Sequence, residues 1–329
     1  MKFTNPRHMR SLKLALSLLL AATALGGCAL LTDRRASARE AAAEAAYPPT
    51  GRIVTVDGIP VHAHVQGQGP DLVLIHGASG NTRDFTFALV DRLAQDYRVI
   101  AFDRPGLGWT GSMGPDGISP MMQAALLQKA ADQLGVTRPI VAGHSYGGAV
   151  AMAWALTDTP DVSAVVVLSG ATMPWPGGLG AYYAVTGSRI GAATVIPALT
   201  AFATERQTDR IVEAIFTPQT APEGYAEYVG IGLTMRRSTL RDNALQVTRL
   251  KPHVTRMAQE YPRLDLPVEI LHGTADDVVP ARIHAIPLAD LLPQGELTLI
   301  EGAGHMPHHS HPDDVIAAIH RAARRAGLR

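Results

Sequence analysis

A chain of 329 residues is long enough to hold one large domain or two of ordinary size. Hydrophobic residues make up 47% and charged residues 18%, which allows a sizeable core and excludes a largely disordered chain. The formal net charge is zero and the body of the chain has no basic tract, so nucleic acid is not expected as a partner.

The first 27 residues have the pattern of a targeting segment. Its basic residues are Lys2, Arg7, Arg10 and Lys13. They precede an apolar run over 14–25 that is too short to span a bilayer as a helix. The run ends in Leu25-Gly26-Gly27-Cys28, which resembles a bacterial lipobox. That resemblance implies cleavage before Cys28 and a diacylglyceryl group on its thiol.

Cys28 is the sole cysteine of the sequence, so an internal disulfide is excluded. Ala29 follows it where an aspartate could stand, which resembles the outer-membrane sorting pattern of Gram-negative lipoproteins. We therefore expect a lipid-anchored protein of the bacterial cell envelope, with its domain in the periplasm or outside the cell. An ordinary secretory signal with a chance cysteine is the alternative. Residues 28–50, rich in Ala, Arg and Glu, are predicted to be a flexible, partly helical tether to a domain over 51–329.

Eight short segments of that domain are predicted to be strands. A hairpin is formed by 52–56 and 59–66 around Asp57-Gly58. The other six are mostly apolar segments, typical of a parallel sheet buried on both faces: 72–75, 98–102, 139–142, 164–168, 268–271 and 297–300. Helical periods over 85–94, 120–134 and 313–323 alternate with them.

From about 171 to 262 the alternation of strands and helices stops. Helical periods occur at 192–203, 209–216 and 240–259, broken by several prolines. Because a loop of that length without structure is implausible, we expect a helical insertion.

The segment Gly143-His144-Ser145-Tyr146-Gly147 lies between the predicted strand 139–142 and a predicted buried helix over 149–156. A strand, then Gly-x-Ser-x-Gly, then a helix is the context of a nucleophile elbow. The two glycines permit close approach of neighbouring segments, and the helix directs free N–H groups towards any anion beside Ser145. Ser145 is therefore predicted to be a nucleophile; a glycine-rich turn with an idle serine is the alternative.

Together with three further loops, this segment makes the chain from about Arg52 onwards resemble the α/β-hydrolase fold family. The resemblance implies a mostly parallel twisted sheet of about eight strands, helices on both faces and a helical cap at about 171–262. His76-Gly77-Ala78 resembles the family's oxyanion loop, with the backbone N–H groups of Ala78 and Tyr146 as donors. Ser79 stands where many relatives have a proline.

The other two loops resemble those that carry the catalytic acid and base. Gly273-Thr274-Ala275-Asp276 places the acid at Asp276, with Asp277 as competitor, and Gly302-Ala303-Gly304-His305 places the base at His305. The order Ser145, Asp276, His305 is that of the family's triad. Asp103 and Arg104 are interpreted as structural, and Trp109 and Trp175 as candidate walls of the substrate pocket.

Three more histidines, His308, His309 and His311, raise the question of a metal site. A run of histidines that opens a helix more often points outward, so no metal is expected. The triad chemistry also requires no organic cofactor.

The predicted function is that of a serine hydrolase that forms an acyl-enzyme, with a small apolar carboxylic ester as substrate. Hydrolysis of a C–C bond, lactone opening, acyl transfer and cofactor-free peroxidation use similar machinery and stay open. A tethered binding protein without catalysis is a further alternative. The sequence does not predict the oligomeric state.

Overall fold

A computed structural model describes the backbone of residues 6–157 and 161–329, and the side chains of Ser17, Thr23 and the residues from Gly26 onwards within those ranges. Of the predicted targeting segment, Lys2 and the side chains of Arg7, Arg10, Lys13 and most of the apolar run lie outside this description. The prediction of a cleaved signal therefore stays a prediction.

All eight predicted strands are present and join into one sheet. They are β1 (Arg52–Val56), β2 (Ile59–Gln66), β3 (Asp71–Ile75), β4 (Arg98–Phe102), β5 (Ile140–His144), β6 (Ala164–Leu168), β7 (Val268–Gly273) and β8 (Gly295–Ile300). Their order is β1-β2-β4-β3-β5-β6-β7-β8. β2 pairs antiparallel with β1 and β4, and the other pairs are parallel. The predicted mostly parallel sheet is confirmed.

Fourteen helices are described. They are α1 (Pro6–Ala46), α2 (Arg83–Thr86), α3 (Leu89–Leu93), α4 (Pro120–Gln133), α5 (Tyr146–Ala155), α6 (Gly180–Thr186), α7 (Arg189–Phe202), α8 (Glu205–Phe216), α9 (Tyr225–Tyr228), α10 (Ile231–Thr234), α11 (Arg237–Met257), α12 (Ala285–Leu291), α13 (Pro307–Ser310) and α14 (Pro312–Arg325). Short 3₁₀ turns occur at Gly114–Ile118 and Tyr261–Arg263. Helices α6 to α11 lie between β6 and β7, where the helical insertion was predicted.

The core has two layers because successive side chains of a strand point to opposite faces of the sheet. In β3, Val73 and Ile75 pack with α4, α5 and α12, whereas Leu72 and Leu74 pack with α2, α3 and α14. The buried residues of α14 follow the helical period: Val315, Ala318, Ile319, Ala322 and Ala323. Both faces of the sheet are therefore covered, as its continuous apolar strands require.

The segment predicted to be a flexible, partly helical tether is helical as far as Ala46, and this helix contacts the cap helices α7 and α10. Ala36 and Ala43 of α1 are buried. Arg237, at the start of α11, forms ion pairs with Asp33 and with Glu40, the latter at 2.7 Å. The contact consists of small side chains and ion pairs rather than large apolar side chains. For that reason the amino-acid composition of the segment does not predict that it packs against another part of the chain.

None of the helices in the described part of the chain is long and apolar enough to cross a membrane.

Candidate active site

Ser145 follows β5 directly and lies at the N-terminal end of α5. Its backbone has φ 54° and ψ −118°, a region that costs a residue with a side chain on the order of 1–3 kcal/mol. A Cβ on Gly143 would lie 2.1 Å from the carbonyl oxygen of Gly147, and a Cβ on Gly147 would lie 2.1 Å from that of Ile75. Only glycine fits at these two positions, and the strained turn presents Ser145 as the sequence predicts for an elbow.

His305 and Asp276 meet beside this turn although they follow different strands. The Nδ1 of His305 lies 2.8 Å from Oδ2 of Asp276. Asp276 is buried, whereas Asp277 is exposed. The other oxygen of Asp276, Oδ1, accepts hydrogen bonds from the backbone N–H groups of Val278 at 2.9 Å and Val279 at 2.8 Å. The structure thus places Asp276, and not its competitor, behind the histidine.

A second histidine, His272 at the end of β7, also bonds to this carboxylate and was missed in the sequence. Its Nε2 lies 3.2 Å from Oδ2 of Asp276 and 2.6 Å from the carbonyl oxygen of Val279. Burial would raise the pKa of Asp276, but the hydrogen bonds from His272 and His305 hold the pKa of that carboxyl well below its usual range. Asp276 is therefore an anion at neutral pH.

The oxyanion loop lies against the serine. A Cβ added to Gly77 would lie 3.0 Å from Cβ of Ser145, so Ala78 is next to the nucleophile. Tyr146 is the first residue of α5, and the first N–H groups of a helix have no partner within it. Both predicted donors thus lie at the end of the sheet where Ser145 is presented.

Ser79 continues this loop with φ 58°, a conformation that the ring of proline forbids. Its N–H donates to Oδ1 of Asn243 at 2.7 Å, its hydroxyl accepts from Nδ2 of Asn243 at 2.9 Å, and its carbonyl accepts from the hydroxyl of Thr234 at 2.8 Å. Asn243 and Thr234 belong to the cap helices α11 and α10. The cap therefore holds the oxyanion loop, and the replacement of the family's proline has a structural reason.

Comparison with known proteins agrees with this geometry. Residues 72–318 match the family model described as alpha/beta hydrolase family.

The chain belongs to the alpha/beta hydrolase family.

Two curated relatives illustrate the range of that family. The chain is similar to a pimeloyl-[acyl-carrier protein] methyl ester esterase of Edwardsiella ictaluri, with 29% identity over 78% of this chain and 94% of the relative. It is also similar to the magnesium-chelatase 30 kDa subunit of Rhodobacter capsulatus, with 31% identity over 76% of this chain and 86% of the relative. Membership, with esterases and hydrolases among the relatives, supports a hydrolytic function.

Among solved structures, a bacterial membrane phospholipase A described as a virulence factor has a TM-score of 0.65 at 22% identity. The likeness covers 97% of this chain and 99% of that one, and it is a likeness of fold.

Beside His305 lies a buried polar cluster that involves two of the three extra histidines. His308 Nε2 lies 3.1 Å from Oδ2 of Asp84, and His309 Nε2 lies 2.8 Å from Oδ1 of the same carboxylate. The hydroxyl of Tyr225 donates to Oδ1 at 2.8 Å. Both histidines point inward, contrary to the expectation from the sequence, because Asp84 is buried and requires donors.

The three potential ligand groups of this cluster lie within 4.8 Å of one another. Each ligand atom already has a hydrogen-bond partner inside the cluster, since Asp84 accepts from both imidazoles. Burial would raise the pKa of Asp84, but His308 and His309 hold that pKa well below its usual range. The arrangement is a hydrogen-bond network around a buried anion, in which Nδ1 of His308 has no hydrogen-bond partner among the described residues.

His144, the residue before Ser145, connects the cluster to His305. Its Nε2 donates to the carbonyl oxygen of His305 at 2.9 Å, and its ring lies 4.4 Å from that of His308 between centroids. Burial lowers the pKa of His144 well below its usual range, so this imidazole is neutral. His144 therefore fixes the backbone of His305 without adding charge.

The two tryptophans proposed as pocket walls lie in different places. Trp109 donates its indole N–H to the carbonyl oxygen of Tyr47 at 3.0 Å, just beyond the end of α1. Trp175 lies 6.0 Å from the ring of His284 between centroids and packs against the core beneath the cap. Both are half-buried, and their role in a pocket stays a prediction.

Proposed function

We propose that this hydrolase cleaves a carboxylic ester through Ser145, His305 and Asp276, with the backbone N–H groups of Ala78 and Tyr146 as the oxyanion hole. The observation that carries the proposal is the 2.8 Å hydrogen bond between His305 and a buried Asp276. The ring of His305 lies 4.8 Å between centroids from that of His144, the residue before a serine held at φ 54°. A strained serine and an oriented histidine at the same sheet edge are the elements of nucleophilic catalysis.

In the first half of the reaction, Ser145 attacks the ester carbonyl carbon while His305 takes the hydroxyl proton. The carbonyl oxygen becomes an oxyanion and accepts hydrogen bonds from the two backbone N–H groups. The intermediate collapses when His305 protonates the departing alcohol. This step leaves the acyl group on Ser145 and a neutral imidazole.

In the second half, His305 removes a proton from water as it attacks the acyl carbon. The carboxylic acid leaves and the proton returns to Ser145. Asp276 keeps a proton on Nδ1 of His305 throughout, so Nε2 is free to accept one, and it stabilises the imidazolium in between. No step needs a metal or an organic cofactor.

A small apolar acyl group is the substrate class that we propose. Ser145 is 8% exposed and His305 4%, so the reacting bond must enter a site that excludes most water. The similarity to a methyl ester esterase supports the choice of an ester among the bonds that such a triad can cleave.

Replacing Ser145 by alanine tests this proposal. We expect Ser145→Ala to lose at least 10³-fold in kcat towards p-nitrophenyl esters of graded chain length and to lose labelling by a fluorophosphonate, because both need the activated hydroxyl. Ser238→Ala, at an exposed serine of α11, is the matched control and should keep both. Wild-type protein that hydrolyses no ester and takes up no fluorophosphonate would instead indicate a binding protein.

We also propose that the mature protein begins at Cys28 and is held at the cell envelope by lipid on that thiol. The lipobox-like Leu25-Gly26-Gly27-Cys28 supports this, as does the exposure of Cys28. A diacylglyceryl group with a further acyl chain holds a protein at a membrane firmly, since each buried CH₂ contributes about 0.8 kcal/mol. Periplasmic or external esters would then be the substrates available to it.

A further inference from the structure

Arg104, just after β4, is a fully buried cation that takes no part in the proton transfers of the triad. Within the described ranges it forms no ion pair with a carboxylate; the neighbouring Asp103 instead bonds to His62, to the N–H of Thr82 and to that of Trp109. Burial lowers the pKa of Arg104 to about 10, which still leaves the group charged at neutral pH. Burying a charge without a counter-ion costs folding free energy, so the groups that contact this guanidinium must compensate for the loss of water.

The guanidinium donates to two successive backbone carbonyls of the oxyanion loop. Nε donates to the carbonyl oxygen of His76 at 3.0 Å, and Nη2 donates to that of Gly77 at 3.0 Å. The carbonyl of Gly77 and the N–H of Ala78 belong to one planar peptide group and point in opposite directions. Arg104 therefore holds the back of the peptide whose front is the proposed oxyanion donor.

His76 completes this contact from the same side. The backbone N–H of Arg104 donates to Nε2 of His76 at 2.9 Å, so the imidazole carries its proton on Nδ1, which donates to the carbonyl oxygen of Gly77 at 2.9 Å. Burial and the charge of Arg104 lower the pKa of His76 to about 4, so this ring stays neutral in that tautomer. The Gly77 carbonyl thus accepts from His76 and from the Arg104 cation, in addition to the backbone N–H of Gly80 at 3.4 Å.

The second oxyanion residue touches the same guanidinium. The Cζ atom of Arg104 lies 4.2 Å from the centroid of the Tyr146 ring, which is a cation–π contact. Nη1 donates to Oε1 of Gln123 at 3.2 Å and to Oε1 of Gln246 at 2.7 Å, which hold the guanidinium plane from α4 and from the cap helix α11. Neutral side chains therefore supply the support, and the positive charge is left without a carboxylate to cancel it.

We propose that Arg104 is a positioning residue for the oxyanion hole, which orients the Gly77–Ala78 peptide and places uncompensated positive charge behind its N–H. This inference rests on the proposed ester hydrolysis.

The physical effect has two parts. Hydrogen bonds from a charged donor are stronger than neutral ones, and a bond to the carbonyl polarises the peptide so that its N–H becomes a better donor. The cation also lies on the side of the peptide away from the oxyanion, where its field stabilises negative charge that exists only in the transition state. Arg104 should therefore act on kcat and leave substrate binding in the ground state largely unchanged.

Two substitutions separate charge from geometry. Arg104→Gln removes the charge and keeps one donor, and Arg104→Lys keeps the charge but lacks the planar fork that bonds two carbonyls. The matched control is Arg98→Met, at the other end of β4, because Arg98 also donates to backbone carbonyls, those of Leu134 and Gly135, far from the serine.

The readouts are kcat, KM and the inhibition constant of a trifluoromethyl ketone, whose adduct with a serine places an oxyanion in the hole. We expect Arg104→Gln to lower kcat by about 10- to 100-fold, less than the 10²–10³-fold typical of losing a donor outright. KM should stay within about twofold and ketone affinity should fall by the same factor as kcat/KM. Arg104→Lys should recover part of the lost kcat and part of the lost ketone affinity. Arg98→Met should lower thermal stability without changing kcat.

A folded Arg104→Gln variant with wild-type kcat and ketone affinity, or with a change in KM alone, would overturn the inference. If that variant does not fold, Arg104→Lys carries the test, since a lysine variant equal to wild type in both readouts would overturn the need for the fork. Failure of wild-type protein to bind the ketone, or activity retained in Ser145→Ala, would instead reject the proposed ester hydrolysis.

Discussion

Replacing Asp276 by asparagine is the sharpest test of the triad because the surrounding hydrogen bonds dictate how the amide would sit. Oδ1 accepts from the N–H groups of Val278 and Val279, so the amide oxygen of an asparagine must take that position. The NH₂ group then occupies the position of Oδ2, which faces Nδ1 of His305 at 2.8 Å. Two donors would meet there unless the imidazole changes its tautomer.

After this change of tautomer, His305 can no longer act as the general base for Ser145. His305 would carry its proton on Nε2, where the serine proton must go, and Nδ1 would accept from the amide. A wrong tautomer of this kind costs about 10⁴-fold in kcat, which corresponds to about 5 kcal/mol of transition-state stabilisation. The fold should persist, since the bonds to Val278 and Val279 remain and His272 still has the carbonyl of Val279 at 2.6 Å as acceptor.

The assay compares kcat for a p-nitrophenyl ester in Asp276→Asn and Asp277→Asn, with circular dichroism as the check on folding. Asp277 is exposed, so its substitution should change kcat by less than about twofold. Asp276→Asn with more than about a tenth of wild-type kcat would refute the tautomer reasoning, and a larger loss in Asp277→Asn would move the acid to that residue.

Three further predictions concern the loop, the pH dependence and the N-terminus. Ser79→Pro should abolish esterase activity and lower the melting temperature because proline cannot adopt φ 58° or donate to Asn243, whereas Ser79→Gly should keep most activity; equal behaviour of the two variants would contradict this. Burial lowers the pKa values of His76 and His284 to about 4, so between pH 6.5 and 4 the unfolded chain binds protons that the folded chain does not. As the pH falls through that range, the free energy of unfolding should decrease by on the order of 3 kcal/mol per histidine. Urea titrations that give the same free energy of unfolding at pH 7 and pH 4.5 would exclude this pH dependence. Cys28→Ser should move the protein from the membrane to the soluble fraction or leave its signal uncleaved, and a wild-type N-terminal peptide without acyl mass in mass spectrometry would rule out the anchor.

Much of the fold can be predicted from the sequence because these strands, helices and the elbow are each specified by residues that are close together in the chain. A buried parallel strand needs a continuous apolar run, so β3, β5 and β6 are visible as runs of Val, Leu, Ile and Ala. The elbow is equally local, since Gly143 and Gly147 lie within two residues of Ser145 and only glycine fits there. The helices α4, α7, α8, α11 and α14 were predicted for the same reason, whereas the triad residues were assigned by the resemblance of their loops to those of the family.

The tertiary structure decided what depends on contacts between distant segments. Asp276 and Asp277 are adjacent in the sequence, and only the packing of the loop after β7 turns one towards His305 and the other into solvent. His308 and His309 point inward because Asp84, more than 200 residues earlier, is buried beside them. Residues 28–46 dock on the cap because Arg237 lies opposite Asp33 and Glu40, a match of charges that composition cannot show. The sequence by itself therefore determined the strands and the elbow, and it predicted the triad residues. The environment of Asp276, Asp84 and Arg104 depends instead on which distant groups share a buried space, since a buried charge is tolerated only where partners from elsewhere in the chain meet it.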